Sequence, residues 1–177
     1  MGKILKLALF LAVVAGLSGA ALSFVYQQTD PIIQEAAIAK VKENLVKMYD
    51  GGQDFRAVDT NFGDYTSLVA CYEVLNGSQT QGYVYEVNVV GYGGASTPIK
   101  FLIALDNDGT YKGYEVTDCS GETKGFGSQV GEDTFKNSIV GKDIGSAIDT
   151  ISGSTISSQA VVDGINQATA HYNENFK

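Results

Sequence analysis

The sequence predicts an α+β protein in which an antiparallel sheet flanked by helices follows one N-terminal transmembrane helix. Three observations support this fold class. Four strand-like runs lie in the middle of the chain, and helical patterns lie on both sides of them. Positions 7–26 form a run of 20 consecutive residues without a charge. A block of strands between separate helices is typical of the α+β class.

Positions 7–26 are long enough to cross a membrane. At a rise of about 1.5 Å per residue, such a run spans about 30 Å, the thickness of a hydrocarbon core. Lys3 and Lys6 precede it, so the positive-inside rule predicts a cytoplasmic stub at 1–6 and an extracytoplasmic domain. We expect a single-pass protein of the cell (inner) membrane. A cleaved signal peptide is the alternative, because positions 18–20 (Ser-Gly-Ala) have the small-x-small form of a cleavage site.

Positions 27–60 are predicted to be a helical connector. Asp30 and Pro31 are typical of a helix start, because Asp caps the first turn and Pro is tolerated in it. The helix is predicted over 32–49 and is ended by the glycines at 51 and 52. Its apolar face consists of Ile38, Val41, Leu45 and Met48. That face indicates a helix packed on one side.

The remaining positions, 61–177, are predicted to form one folded domain. Its strands are predicted at 67–75, 82–90, 98–105 and 111–118. Asn-Gly at 76–77 and Asp-Gly at 108–109 are typical hairpin turns, so we expect antiparallel pairing. Helices are predicted at 133–140 and 157–173. The apolar stripe of the second helix consists of Val161, Ile165, Ala168 and Tyr172.

The charge distribution excludes a nucleic-acid-binding function. All 20 acidic residues and 10 of the 12 basic residues follow position 26, which leaves that part of the chain with a net charge of −10. Contacts to phosphates require a basic face, and the sequence contains no basic cluster that would form one. We therefore expect no nucleic acid among the partners.

The few cysteines and histidines also limit the chemistry. Cys71 and Cys119 are the only cysteines, too few for a Cys₄ iron–sulfur cluster or zinc site. Outside the cytoplasm they are compatible with one disulfide, and two unpaired side chains are equally compatible with the sequence. The single histidine, His171, lies near the end of the last predicted helix. We expect neither a metal site nor a catalytic triad around it.

Three segments interrupt the regular pattern and form the candidate binding site. Positions 91–94 (Gly-Tyr-Gly-Gly) allow a backbone or ligand to come close. Positions 120–128 place three glycines around Phe126, whose ring could contact an aromatic ligand. Positions 149–158 bring hydroxyl groups to a helix start, where a phosphate would bind. Each pattern taken alone also has a simpler interpretation. Positions 91–94 are compatible with a wide loop, 120–128 with a surface loop and 149–158 with a Ser/Thr-rich helix cap.

Together, the three segments resemble the motifs of covalent FMN-binding domains. The run at 152–158 (Ser-Gly-Ser-Thr-Ile-Ser-Ser) is similar to that family's signature S/T-G-A-T-x-T/S-S. The loop from Glu122 to Gly127 resembles E-T-P-G-L-G, and 91–94 resembles G-Y-G-G. With one span before a domain of this size, the chain resembles the G subunits of Rnf complexes, which are ion-translocating ferredoxin:NAD⁺ oxidoreductases. The C subunits of sodium-translocating NADH:quinone reductases are similar.

The resemblance implies a cofactor and its binding residues. FMN would be attached to Thr155 through a phosphoester bond, installed by a dedicated flavin transferase that uses FAD. The residues expected around the phosphate are Ser152, Gly153, Ser154, Thr155, Ile156 and Ser157. Those expected around the ring are Tyr92, Gly93, Glu122, Thr123, Gly125, Phe126 and Gly127. Among these, Glu122 and Thr123 are the candidates for polar contacts to the ring.

The resemblance also implies a function, electron transfer through FMN among the membrane-bound subunits of an oxidoreductase complex. The chain would not be catalytic alone. A threonine hydroxyl is a poor nucleophile and no base adjoins Thr155 in the sequence, so a separate enzyme must activate it. The span lacks an internal ionisable residue, so it cannot be the ion path. Two alternatives stay open: an extracytoplasmic FMN-carrying protein of another reductase, of the Nqr type or in extracellular electron transfer, and a non-redox assembly or binding module.

Overall fold

The computed structural model describes residues 2–49 and 54–177. They belong to two compact units, Met1–Lys40 and Val41–Lys177. The first unit is helical and belongs to helix α1 (Gly2–Met48), whose C-terminal residues are part of the second unit. Within α1, Gly2–Val25 is apolar and long enough to cross a membrane, and none of it is buried inside the protein. These properties are consistent with a single-pass membrane anchor.

The first helix differs from the sequence prediction in its continuity. We expected a new helix to start at Asp30 and Pro31, but the helical backbone passes through both residues and ends at Met48. A proline inside a helix removes one backbone hydrogen bond. The residues at 34–37 (Gln-Glu-Ala-Ala) are strong helix formers and favour continuation of the helix after Pro31. The predicted domain boundaries after residues 26 and 60 stay predictions.

The second unit is built on a five-stranded antiparallel sheet. Its strands are β1 (Asp54–Ala57), β2 (Leu68–Asn76), β3 (Gln79–Val89), β4 (Ile99–Asp106) and β5 (Tyr111–Asp118). Each strand pairs with the next one in the chain, so the spatial order is β1-β2-β3-β4-β5. β2 to β5 follow the four predicted strands closely. β1 was not predicted, and it lies inside the range that we assigned to the helical connector.

The two predicted hairpin turns are present. Gly77 connects β2 to β3 with a φ of 62°, and Gly109 connects β4 to β5 with a φ of 92°. Residues other than glycine rarely adopt such backbone angles. In the second turn the backbone N–H and the hydroxyl of Thr110 donate to one carboxylate oxygen of Asp108, at 2.9 and 2.7 Å. These turns set the antiparallel pairing of the neighbouring strands, and each of the two hairpins contains two register shifts.

The helices after the sheet deviate slightly from their predicted ranges. A 3-10 helix (Gly127–Gly131) is followed by α2 (Asp133–Asn137), which is shorter than predicted. Turns replace its last residues, ending at Gly141 with a φ of 84°. The long helix α3 (Thr155–Asn175) begins two residues before the predicted start, because Ser154 rather than a later serine is its N-cap.

One face of the sheet packs against α3. Phe101, Ile103 and Leu105 of β4 are fully buried there, together with the predicted apolar stripe of α3. Gly164 brings the helix close to the sheet. A Cβ at this position would lie 2.7 Å from Cγ1 of Val89, a separation that real Cβ atoms do not show. The middle of α3 therefore packs directly on β3 and β4.

The C-terminal part of α1 covers the opposite face of the sheet. Val41 and Leu45 are buried, as are Leu102 and Ala104 of β4. A Cβ at Gly113 of β5 would lie 2.8 Å from Cγ of Met48, so the helix lies directly on the strands. Helices therefore cover both faces of the sheet. The predicted α+β class, with an antiparallel sheet flanked by helices, is confirmed.

The two cysteines are free thiols in this fold. Cys71 is buried in β2, and burial raises the pKa of its thiol to about 12. Cys119 is half-buried after β5, and burial likewise raises its pKa. Since the thiolate is the reactive form, both groups are poor nucleophiles at neutral pH. Neither cysteine lines the pocket described below.

Candidate functional site

The three irregular segments meet at one pocket beside the first turn of α3. The pocket has a volume of about 420 Å³, which lies within the range of small-molecule sites, about 300–1,000 Å³. The residues that line it are Tyr92, Thr123, Phe126, Gly127, Gly153, Ser154, Thr155, Ile156 and Ser157. Each of them is one of the residues predicted from the sequence. Segments more than 50 positions apart in the chain thus form a single cavity.

The other predicted residues lie next to the pocket without lining it. Gly93 and Glu122 are joined behind its wall by a hydrogen bond of 3.0 Å. Gly125 has a φ of 76° and turns the chain toward Phe126, and its N–H donates to Oγ of Ser128 at 2.9 Å. Ser152 is exposed in the turn that leads into α3.

The start of α3 has the properties of an anion site. Ser154 is only 6% exposed, and its hydroxyl has no hydrogen-bond partner among the described residues. The backbone N–H groups of Thr155, Ile156 and Ser157 also have no acceptor within the described parts of the chain. Free N–H groups at a helix N-terminus, together with the helix dipole, favour a bound anion. A phosphate group would satisfy these four donors.

The hydroxyl groups around this helix start differ in accessibility. Ser157 and Ser158 are buried. The Ser157 hydroxyl donates to Oε2 of Glu122, and Oγ of Ser158 accepts from the N–H of Ile151 at 2.9 Å. Thr155 is exposed and lines the pocket, and its hydroxyl has no partner in residues 2–49 and 54–177. In this turn the hydroxyl of Thr155 is therefore the one that an external reagent can reach.

The outer part of the pocket is apolar. Tyr92, Phe126 and Ile156 line it with side chains that are largely exposed. Exposed apolar side chains around a cavity are typical of a binding site for an apolar or aromatic group. Flat rings such as those of Tyr92 and Phe126 bind other flat rings by stacking. The pocket thus combines an anion site at one part of its wall with aromatic side chains at another.

Close backbone packing joins the two glycine-rich loops. A Cβ at Gly93 would lie 2.3 Å from the carbonyl oxygen of Gly121, so only glycine fits there without moving the backbone. Likewise, a Cβ at Gly121 would lie 2.1 Å from Oγ1 of Thr97. The loops that carry Tyr92 and Phe126 therefore support each other directly. The sequence indicated the glycines, but it did not indicate which atoms they approach.

The structure also contains a second, smaller cavity of about 270 Å³. Its lining residues are Gln129, Glu132, Thr134, Phe135, Ser138, Asp149, Thr150 and Ile151. Asp149, Thr150 and Ile151 belong to the segment at 149–158 that the sequence indicated, whereas the residues from Gln129 to Ser138 were not predicted to line a site. Within the described residues, no cluster of His, Cys, Asp and Glu side chains could hold a metal ion.

His171 is the only histidine of the chain, and it lies in the core. Its Nδ1 lies 2.9 Å from the hydroxyl of Tyr85, and the rings of Phe62 and Tyr65 pack against it. Burial lowers the pKa of the imidazole, although the carboxylate of Glu174 acts in the opposite direction. His171 does not line the pocket. Its surroundings are those of a structural core residue.

Comparison with known proteins connects this pocket with a cofactor. Residues 91–170 match the family model of the FMN-binding domain, and this range includes every residue that lines the larger pocket. The chain is 29% identical to the G subunit of the ion-translocating oxidoreductase complex of Methanosarcina acetivorans, over 94% of this chain and 93% of that protein.

A second relative has a similar name. The chain is 25% identical to the G subunit of the proton-translocating ferredoxin:NAD(+) oxidoreductase complex of Clostridium ljungdahlii, over 89% of this chain and 85% of that protein. Both alignments cover nearly the whole chain. Residues 91–170 therefore match an FMN-binding domain, and nearly the whole chain is similar to G subunits of ion-translocating oxidoreductase complexes.

Proposed function

We propose that the protein is the membrane-anchored flavoprotein subunit of an Rnf-type ion-translocating ferredoxin:NAD⁺ oxidoreductase, and that it relays electrons through FMN bound covalently to Thr155. One observation carries this proposal: the exposed Thr155 lines a single cavity together with aromatic side chains and the residues that carry four unsatisfied hydrogen-bond donors. The names of the two relatives support the assignment to a membrane complex.

The residues of the pocket fit an FMN group. The hydroxyl of Ser154 and the N–H groups at the start of α3 would bind the phosphate, because they are donors without acceptors among the described residues. Tyr92 and Phe126 would orient the isoalloxazine ring and exclude water from its faces. When bound, FMN supplies one-electron and two-electron redox chemistry, and the protein contributes binding, orientation and electrostatics.

Attachment of the flavin requires a second enzyme. Thr155 has no hydrogen-bonded base among the described residues, so nothing in that part of the protein removes its hydroxyl proton. In the proposed reaction a flavin transferase supplies the base and FAD. Oγ1 of Thr155 forms the bond to the flavin's phosphorus, the bond from that phosphorus to AMP breaks, and the hydroxyl proton goes to the transferase. The exposure of Thr155 on the domain surface is compatible with this access.

The apolar helix gives the protein its place in the complex. Gly2–Val25 would hold the domain at the membrane, where other membrane subunits can exchange electrons with the flavin. The chain carries a net charge of −8, which favours solubility of the extracytoplasmic domain and can steer positively charged partners toward it. The sequence contains no acidic or basic residue between positions 7 and 26. Ion translocation is therefore assigned to other subunits.

Mass spectrometry of the denatured protein tests the cofactor assignment. We expect full-length protein produced together with a flavin transferase to be heavier than the unmodified chain by about 440 Da, the mass that an FMN phosphoester adds. The protein band should also show flavin fluorescence after denaturing electrophoresis, because the bond is covalent. Protein produced without the transferase is the control and should have the mass of the unmodified chain. A colourless, unmodified product in the presence of an active transferase would contradict the flavoprotein assignment.

Reporter fusions test the orientation in the membrane. Lys3 and Lys6 precede the apolar helix, so we expect the N-terminus in the cytoplasm and the domain outside. Alkaline phosphatase fused after Lys177 should be active, since it folds only outside the cytoplasm, and β-galactosidase at the same position should be inactive. In the double variant Lys3→Glu and Lys6→Glu, phosphatase activity should decrease. The reverse pattern in the unmodified chain would place the domain in the cytoplasm.

A further inference from the structure

Glu122 connects the three segments that form the pocket. It lies on the loop after β5, and its side chain is only 8% exposed. Oε1 accepts a hydrogen bond of 3.0 Å from the N–H of Gly93, in the loop between β3 and β4. Oε2 accepts a hydrogen bond from the hydroxyl of Ser157, in the first turn of α3. One carboxylate thus joins the loop that carries Tyr92 to the helical turn that carries Thr155.

Glycines provide the space that this carboxylate occupies. A Cβ at Gly91 would lie 2.3 Å from Oε1 of Glu122, and a Cβ at Gly127 would lie 2.2 Å from Oε2. Both separations are far below a normal contact distance. Backbone from two loops therefore approaches the carboxylate so closely that a Cβ at either glycine would displace it from its present position. The glycine pattern of the two loops has a specific role, since it allows a buried carboxylate to reach two donors.

A carboxylate meets the hydrogen-bonding requirements better than an amide. The N–H of Gly93 can only donate, and the hydroxyl of Ser157 donates to Glu122 in the structure. A carboxylate presents two acceptor oxygens and no hydrogen, whereas glutamine presents one acceptor and one donor group. In Glu122→Gln the amide oxygen can keep the bond to Gly93 while the Ser157 hydroxyl rotates to accept from the NH₂ group. That variant removes the charge and largely preserves the shape.

We propose that Glu122 is a positioning residue for the flavin: it holds the Tyr92 loop against the first turn of α3 and places a negative charge behind the pocket wall. The inference rests on the proposed function, because the flavin ring is assigned to the space between Tyr92 and Phe126. Glu122 accepts a hydrogen bond from Gly93, the residue after Tyr92, and it lies against Gly127, the residue after Phe126. A fixed negative charge there opposes the addition of electrons to the ring and lowers its reduction potential.

Glu73 offers a matched control elsewhere in the domain. Its side chain is 7% exposed, and like Glu122 it accepts two hydrogen bonds, from Oγ1 of Thr80 at 2.6 Å and from the guanidinium group of Arg56. It lies on β2 opposite Tyr83, whose ring stacks on Phe176 beyond the C-terminal end of α3. Glu73 is therefore a buried carboxylate that accepts two hydrogen bonds. It lies near the C-terminal end of α3, remote from the pocket at the N-terminal end.

Hydrogen exchange of the flavin-free, full-length protein in detergent tests the structural link. In Glu122→Ala the N–H of Gly93 loses its acceptor, so we expect its amide exchange to become about tenfold faster or more, as the loss of one buried hydrogen bond implies. Glu73→Ala should leave the exchange of Gly93 unchanged. Equal rates for Gly93 in wild type and in Glu122→Ala would overturn the proposal. This readout needs no flavin, so it is independent of the proposed function.

The reduction potential of the flavin-loaded protein tests the effect of the charge. We expect the midpoint potential of Glu122→Gln to be more positive than that of wild type, and the potential of Glu73→Gln to equal the wild-type value. Failure of Glu122→Gln to take up flavin, while Glu73→Gln loads normally, also supports positioning. An unchanged potential in Glu122→Gln, or the same shift in both variants, would overturn the proposal. If wild type itself takes up no flavin, the proposed function fails, whereas the exchange experiment still decides the role of Glu122 in the apoprotein.

Discussion

Thr155→Ala is expected to abolish covalent flavin attachment completely. The substitution removes the exposed hydroxyl beside the four unsatisfied donors at the start of α3, and the other hydroxyls of that turn are buried or hydrogen-bonded within the protein. The mass of the variant, produced together with a flavin transferase, should equal that of the unmodified chain. Alanine is a strong helix former and position 155 is exposed, so the fold should be retained.

Thr150→Ala is the matched control for this experiment. Thr150 is an exposed threonine of the same segment, but it lines the smaller cavity rather than the pocket. This variant should take up FMN as wild type does. Loss of the adduct in Ser157→Ala, with the adduct retained in Thr155→Ala, would show that the acceptor had been assigned to the wrong hydroxyl. Retention of the adduct in both variants would place the attachment outside the first turn of α3.

Phe101→Ala is expected to cause the largest loss of stability. Phe101 is fully buried on β4, its ring lies 5.4 Å from that of Tyr114, and α3 crosses it at Gly164. Replacing a buried phenylalanine with alanine removes apolar contacts and leaves a cavity, at a cost of about 3–5 kcal/mol. For a protein of this size the melting temperature should fall by about 6–20 °C. Thermal unfolding of the full chain in detergent, followed by circular dichroism, measures the change.

Val69→Ala is the control for the stability measurement. Val69 lies on β2, and about half of its side chain is exposed, so its truncation should change the free energy of unfolding by less than about 0.5 kcal/mol. Similar melting temperatures for Phe101→Ala and Val69→Ala would contradict the assignment of the core to the interface between β4 and α3. Loss of flavin uptake in Phe101→Ala would follow from displacement of α3 and would not indicate contact with the cofactor.

Much of the fold could be predicted because local signals agreed with each other. Gly77 and Gly109 marked hairpin turns between strands of matching pattern, and both adopt the positive φ that these turns require. β1 gave no such signal. It has only four residues, its side chains are exposed or half-buried, and its pairing with β2 depends on residues that are distant in sequence. Tertiary contacts define this strand, and a sequence pattern does not display them.

The continuity of α1 could not be predicted for a related reason. Pro31 is equally compatible with the first turn of a helix and, at a cost, with a helix interior. The sequence signal at Asp30 and Pro31 favoured the first interpretation, whereas the structure adopts the second. The choice depends on the length of helix that each side can support, and a local pattern does not report that length.

The residues around the pocket could be predicted, but the contacts of Glu122 could not. The three motifs identified every residue of the lining, because motifs of glycine, aromatic and hydroxyl residues are visible in a sequence. We expected Glu122 to make a polar contact to the ring, and the structure places its carboxylate behind the wall, bonded to Gly93 and Ser157. The three residues are separated by 29 and 35 positions in the chain. Only the folded backbone brings them together.

The chain order of the strands has a consequence for the biogenesis of the protein. Because strands that are neighbours in the chain pair with each other, the sheet can assemble progressively during synthesis of the polypeptide. The pocket, by contrast, includes residues 153–157 and is completed only when α3 docks. A chain interrupted before α3 could form hairpins but would present no acceptor site. Modification can therefore follow folding, and a covalently bound flavin would mark a molecule whose synthesis is complete.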